Sequence, residues 1–410
     1  MMKEKLKNGL SAWATSLLII AVSLLVGWGV MFLIGGQEPV RAFGILLTAG
    51  LADSETFGKV LYQAAPLILT GLSVGLAMRA GLFNIGASGQ FTVGAFCALV
   101  CGMVFQMPWY ICILAGAFGG AAWGFFPGFF KAYFNVSEVI SGILFNWIGL
   151  YAVNVAVANI PPMLPRYYYP ADYPGNPNFS LEMANPNALI PKWGLDNLFG
   201  SPYLGAGILI ALAFAIFIWF LLSKTTFGYK QKAIGLNKDA AQYAGIHTKR
   251  ISTLSMVIAG ALSGIAAALY YQSGAAFFGI KIELAPMGFA GIPVALLAFA
   301  HPIGTVFSAL LISFLNIGGE KMQALEYSTQ IIAIITAFII LFSAFAPLIR
   351  RLLFKTNLPI PENAPPSDDD PLADADPPLE PKPYKPMGSL YSRMLRQLKN
   401  CHPERSEGSN

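Results

Sequence analysis

The sequence predicts an all-α polytopic membrane protein of about ten transmembrane helices, with broken helices near the midplane and a disordered C-terminal tail. Composition is the first reason: of 410 residues, 55 % are apolar and only 11 % are charged, outside the range of soluble domains. Apolar segments recurring along residues 1–355 are the second, since about 20 residues at helical rise cross a hydrocarbon core of about 30 Å. The third is where the formal charge of +5 collects. It sits at span ends (Lys3, Lys5, Lys7, Arg350, Arg351, Lys355) and in one loop. That is the asymmetry of a cytoplasmic membrane face, so no nucleic-acid partner is expected.

The first segment, Ser11–Ile34, follows a basic N-terminus. It is too long for a cleaved signal and lacks a small-x-small exit, so it should remain as the first span. Gly35–Val60 is mildly amphipathic and suits the membrane surface. Leu61–Met78, Gly86–Val104, Pro108–Phe130 and Val136–Ile160 then cross in alternation. Residues 161–202, rich in Pro, Asn and aromatics, form an external loop longer than a connector needs, a candidate docking face for an outside partner. Tyr203–Leu222 leads into the polar loop 224–250, where Lys224, Lys230, Lys232, Lys238, Lys249 and Arg250 face a single acid, Asp239. Such an excess marks the cytoplasmic side. Within it, Lys238–Gly245 reads as a short amphipathic helix with a small-residue face (Ala240, Ala241, Ala244) and a glycine stop. A cytoplasmic helix of that kind has work to do when something docks on it, which favours a driven transporter over a passive channel.

Ile251–Tyr271, Met287–Ala300, Ile303–Ile317 and Thr329–Ile349 complete the set and leave both termini cytoplasmic, in a membrane domain 1–355. Met287–Ala300 and Ile303–Ile317 span roughly 22 Å each at helical rise, short of the core, the pattern of broken helices lining a midplane site. Residues 356–410 are loaded with Pro and acid and are expected to be disordered.

No Walker loop, potassium-filter motif or nucleophile elbow occurs, so neither enzyme chemistry nor a cofactor on this chain is expected. His247, His301 and His402 have no Cys or carboxylate at metal-ligand spacing, and no metal is expected. Cys97, Cys101 and Cys112 read as small buried apolar residues. The distinctive polar patch is Arg79–Gln90, RAGLFNIGASGQ. Polar groups at membrane depth are costly unless satisfied, and Gly81, Gly86 and Gly89 permit a helix break with close backbone approach. Asn84, Ser88 and Gln90 offer donors and acceptors suited to a sugar hydroxyl or nucleobase edge, with Phe83 or Phe91 as a stacking face. The alternative is a polar turn with packing glycines. Asn146 falls near mid-depth, to face the pathway or bond a neighbouring helix. Glu138 suits a structural ion pair at its span end, and His301 before Pro302 suits a helix boundary.

GLFNIGASGQ (81–90), EVISGILFN (138–146), AIGLNKDAAQYAGI (233–246) and GFAGIPVALLAFAHPIG (288–304) resemble the permease subunits of bacterial ABC importers. The branch is the one serving nucleosides and simple sugars with a receptor of the basic-membrane-lipoprotein type, and the likeness runs over Leu61–Ile349. Asp239-Ala240-Ala241-x-x-x-Gly245 resembles the Glu-Ala-Ala-x-x-x-Gly pattern by which importer permeases meet their ATPase, with Asp in place of Glu. A second departure is Leu297–Ala300, where relatives usually carry a glycine and polar residues.

The resemblance implies ATP-driven import of nucleosides or simple sugars across the bacterial cytoplasmic membrane. Its partners would be a second permease chain, ATP-binding cassette subunits that hold the ATP, and an extracytoplasmic substrate-binding lipoprotein. Gly235, Asp239, Ala240, Ala241 and Gly245 would transmit the ATPase motion. A branched-chain amino acid permease is the alternative; its α-carboxylate favours a cation at the site, and Arg79 is the only cation within a span. An ATP-independent carrier or channel would want mid-span acids or a filter, which are missing.

Overall fold

The computed structural model describes residues 2–34, 38–164, 167, 181–328 and 330–345. Among them every regular element is helical. In chain order these are α1 (Met2–Ile34), α2 (Pro39–Thr48), α3 (Ser54–Arg79), α4 (Ala87–Leu99), α5 (Trp109–Phe134), α6 (Glu138–Ala158), α7 (Gly207–Lys224), α8 (Thr226–Leu236), α9 (Lys238–Tyr243), α10 (Thr248–Gln272), α11 (Pro286–Leu297), α12 (Pro302–Met322) and α13 (Gln330–Ala344). Short helical turns at Leu181–Ala184 and Leu195–Phe199 lie between α6 and α7. Among the described residues eight helices are long and apolar enough to cross a membrane, and three shorter apolar ones accompany them. The chain is a multi-pass membrane protein.

The boundaries correct the sequence reading in three places. Ile303–Ile317 is not a short segment: α12 has 21 residues and crosses in full. Gly318, Gly319, Glu320 and Lys321 interrupt its hydropathy, yet the helix continues because those positions are used in packing. Gly318 lies against the backbone of Leu46 in α2, and Glu320 accepts a hydrogen bond from the Gln63 amide at 3.1 Å. The second span begins at Ser54 rather than Leu61, where Asp53 caps α3 by accepting from the Thr56 N–H at 2.6 Å. Gly35–Val60 contains α2, which buries Ala42 and Leu46 instead of lying free on a surface. By contrast α11 has only 12 residues, about 18 Å of helix, as short as its segment predicts. The expected end of the last span at Ile349 and the tail 356–410 lie outside the described residues, as does most of the outer loop between 165 and 180.

The core is a packed set of α3, α4, α5 and α10. Gly116, Gly120 and Gly124 repeat every fourth residue along α5 and meet Gly260 and Gly264 of α10 backbone to backbone. In a bilayer, where burial of apolar surface gains little over lipid, such small-residue contact is what draws two helices together. The connector between α6 and α7 is tied down too: the Asn185 amide donates to the Gly102 and Met107 carbonyls at 3.0 and 3.1 Å.

One end of the bundle collects the basic loop. Arg79 ends α3 there, and the Glu138 carboxylate at the start of α6 pairs with Lys131 of α5 at 2.9 Å, the structural ion pair expected of it.

Candidate functional site

The polar patch is a junction between helices. After Arg79 the chain turns through residues 80–86 and re-enters the bundle as α4. Asn84 and Gln90 are fully buried and hold each other amide to amide. Asn84 Nδ2 donates to Gln90 Oε1 at 2.9 Å, and Gln90 Nε2 returns a bond to Asn84 Oδ1 at 3.0 Å. Asn84 Nδ2 also donates to Ser73 Oγ at 3.1 Å, which in turn accepts from Ser263 Oγ of α10 at 2.9 Å. This chain of groups joins α3, α4 and α10 deep in apolar surroundings, where an unpaired amide is disfavoured.

Asn146 of α6 clamps the same turn from the other side. Its Oδ1 accepts from the Gly89 N–H at 2.7 Å and its Nδ2 donates to the Ile85 carbonyl at 3.0 Å. A Cβ at Gly89 would stand 2.9 Å from the Asn146 Cα, so only glycine permits this approach. Ser88 Oγ donates to the Ala285 carbonyl at 3.0 Å, and Gly288 packs on the Ser88 backbone, bringing the N-termini of α4 and α11 together. Asn84, Ser88, Gln90 and Asn146 are thus gathered around one junction, all buried and all bonded to protein. Phe83 is half-buried beside them. Phe91 belongs to the core, its ring 6.1 Å from Tyr270.

An open surface that the sequence reading missed lies on α6. Leu144, Trp147, Ile148, Tyr151 and Val155 form an exposed apolar face along this one helix. Trp147 and Tyr151 stack, with ring centroids 5.9 Å apart and planes 23° from parallel. Trp147 is near the middle of α6, about 14 Å from its start at helical rise. On the same face, at i+7, Asn154 holds the irregular segment 273–285. Its Nδ2 donates to the Lys281 carbonyl at 2.6 Å and its Oδ1 accepts from the Lys281 N–H at 3.1 Å.

Depth follows from helix length. With α11 only about 18 Å long, the residues just before it stand near half the thickness of a hydrocarbon core. Lys281 and Glu283 lie further out, Lys281 being bonded to Asn154 about 24 Å along α6 from its start at helical rise, and both are exposed.

At the basic end, α8 and α9 form a short helical hairpin. Asn237 caps α9 by accepting from the Ala240 N–H at 2.8 Å. Gly245 ends it with φ +81°, and the Ile246 N–H closes back on the Ala241 carbonyl at 3.0 Å, the geometry of a left-handed helix stop. Asp239, Ala240 and Ala244 are exposed, while Ala241 is buried and anchors the helix. The small residues therefore divide between two faces. Tyr243 and Leu236 stand out from this hairpin, 94 % and 70 % exposed. Gly235 sits against Arg79 and Gly81, where a Cβ would overlap the Arg79 carbonyl oxygen. This contact links the hairpin to the turn that leads into the amide junction.

A family described as branched-chain amino acid transport system, permease component, matches residues 56–343. The guanosine ABC transporter permease protein NupP of Bacillus subtilis is 33 % identical, over 84 % of this chain and 97 % of its own length. The nucleoside ABC transporter permease protein NupB of Lactococcus lactis is also 33 % identical, over 83 % and 92 %. The glucose ABC transporter permease protein TsgB13 of Haloferax volcanii is 27 % identical, over 83 % and 89 %. No solved structure matches the chain.

Proposed function

The chain belongs to the permease family of branched-chain amino acid transport systems, a permease subunit of an ABC importer, and from that premise we propose that its cargo is a nucleoside. The observation that carries this reading is the Trp147–Tyr151 stack on the open mid-depth face of α6. A planar aromatic pair beside polar backbone at Lys281 suits a base carrying a sugar. The names of the more similar relatives point the same way, with a sugar permease at lower identity. Branched-chain amino acids fit less well, because Arg79 lines a separate cavity rather than this face.

In this reading the basic end faces the bacterial cytoplasm and both termini lie there. Asp239 and Ala240 on the exposed side of α9, stopped by Gly245, receive a separate ATP-binding cassette subunit, which holds the ATP. Ala241 fixes the helix from within, and Gly235 passes its motion to the turn at Gly81. A second permease chain closes the α6 face, and a substrate-binding lipoprotein delivers cargo at the opposite end. Asn84, Ser88, Gln90, Phe83 and Asn146 contact cargo only when the junction opens. In the conformation described they position α4 behind the pathway.

Uptake of radiolabelled guanosine and leucine by cells expressing the chain with its cassette, sister permease and receptor tests this reading. Trp147→Ala should raise KM for the nucleoside about ten-fold, since aromatic stacking on a base is worth roughly 1–3 kcal/mol. Leucine uptake, or nucleoside uptake with unchanged KM in Trp147→Ala, would overturn the assignment.

A further inference from the structure

A cavity of about 600 Å³ opens at the basic end between α1, α3 and α12. It is lined by Ser16 and Leu17 of α1, Arg79 at the end of α3, His301 in the turn before α12, and Phe307 and Leu311 on α12. Nothing in the transport reading uses it.

Its polar end is unusual. Arg79 Nε donates to the Ala300 carbonyl at 3.0 Å, but among the described residues the guanidinium has no carboxylate partner. A half-buried cation without a counter-charge in a membrane segment calls for an anion. His301 adds a donor: its Nδ1 accepts from the Gly304 N–H at 3.4 Å, so a neutral ring carries its proton on Nε2. Burial and the neighbouring Arg79 charge push His301 below its ordinary pKa. The turn that presents these groups is strained. Phe299 and Ala300 are both in the left-handed region, at φ 50° and 52°, and neither is glycine. Such strain persists where the surroundings hold it in place.

The other end is apolar. Leu17 is 62 % exposed and Phe307 53 %. Leu311 lies ten residues beyond His301, about 15 Å along α12 toward the membrane centre. Charge at the interface with an oily wall running inward is the shape of one lipid molecule. A free phosphate would leave that wall bare. Anionic headgroups also concentrate at the leaflet that faces basic protein segments.

We propose that this cavity is a binding site for an anionic phospholipid, with Arg79 and His301 on the headgroup phosphate and an acyl chain along Leu17, Phe307 and Leu311. The site is independent of which solute is carried.

The test is native mass spectrometry of the full purified chain in micelles doped with equal phosphatidylglycerol and phosphatidylcholine of matched chains. The wild-type chain should retain phosphatidylglycerol about ten-fold over phosphatidylcholine: both carry the phosphodiester, but the choline cation would stand beside the Arg79 guanidinium, a like-charge contact that opposes binding by roughly 1.4 kcal/mol. Arg79→Gln should bring the two near parity. Leu17→Trp, which fills the mouth at an exposed position, should lower phosphatidylglycerol retention several-fold with Arg79 intact, and it decides the matter should Arg79→Gln not fold. Equal retention of both lipids by the wild type, or unchanged retention in the folded variants, overturns the proposal. So does displacement of phosphatidylglycerol by millimolar inorganic phosphate, which would mark a free-anion site.

Discussion

Breaking the Asn84–Gln90 pair should destabilise the bundle by an amount the geometry bounds. Asn84→Ala removes three hydrogen bonds, one to Ser73 and two with Gln90, and strands both ends of a fully buried Gln90 amide. Orphaned groups in a water-soluble core cost roughly 1–3 kcal/mol each, which would put the loss near 4 kcal/mol. In a bilayer the unfolded chain also finds partners, and interhelical bonds average about 0.6 kcal/mol. Three such bonds give about 2 kcal/mol, and we expect this lower figure because the reference state stays in lipid or detergent. Gln90→Ala should cost somewhat less, because Asn84 keeps its bond to Ser73. The double variant Asn84→Ala/Gln90→Ala should then cost little more than either single, a coupling of about 1 kcal/mol, since neither amide is left behind to be stranded. Denaturant titration of the purified chain, followed by circular dichroism, measures all three. Additivity of the two single losses within about 0.5 kcal/mol would refute the lock. A raised uptake KM with unchanged stability would leave the pair a substrate contact without the structural role.

Two further substitutions probe packing and coupling. Gly264→Val should lower the unfolding midpoint by the equivalent of roughly 1–3 kcal/mol, because its Cβ would overlap the Gly116 carbonyl oxygen of α5, backbone that cannot swing aside. Gly29→Ala, with nothing within 4 Å of the added carbon, should not move it, and equal effects at the two positions would argue against backbone contact between α5 and α10. Gly245→Val meets no atom within 4 Å but must hold φ near +81°, a local strain of roughly 1–2 kcal/mol. The bundle's melting curve should stay in place while ATPase activity of the assembled importer loses its link to uptake. Normal coupled uptake by that variant would count against α9 as the coupling element.

How much of this was readable without a structure depends on whether a feature is local in the chain. Hydropathy and charge determine the membrane class and the position of the basic loop, because both follow from which residues tolerate lipid. The short span at 287–300 was legible from its glycines and prolines, and the stop at Gly245 from a glycine after a helix-sized run. The break at 80–86 was visible as polar residues among glycines where lipid would exclude them.

What those polar residues bond to was not readable. Asn84 chooses Gln90 and Ser73, and Asn146 chooses Gly89 and Ile85, contacts that depend on how helices cross rather than on spacing in sequence. The same holds for α12, whose polar end looked like a terminus until Leu46 and Gln63 packed against it. Lys281 and Glu283 carry the clearest case. Their identity is plain in the sequence, but their place along the bundle follows from Asn154, which holds segment 273–285 onto α6. Local composition dictates which groups must be satisfied in lipid; which partners satisfy them and which face stays open is set by contacts between segments far apart along the chain.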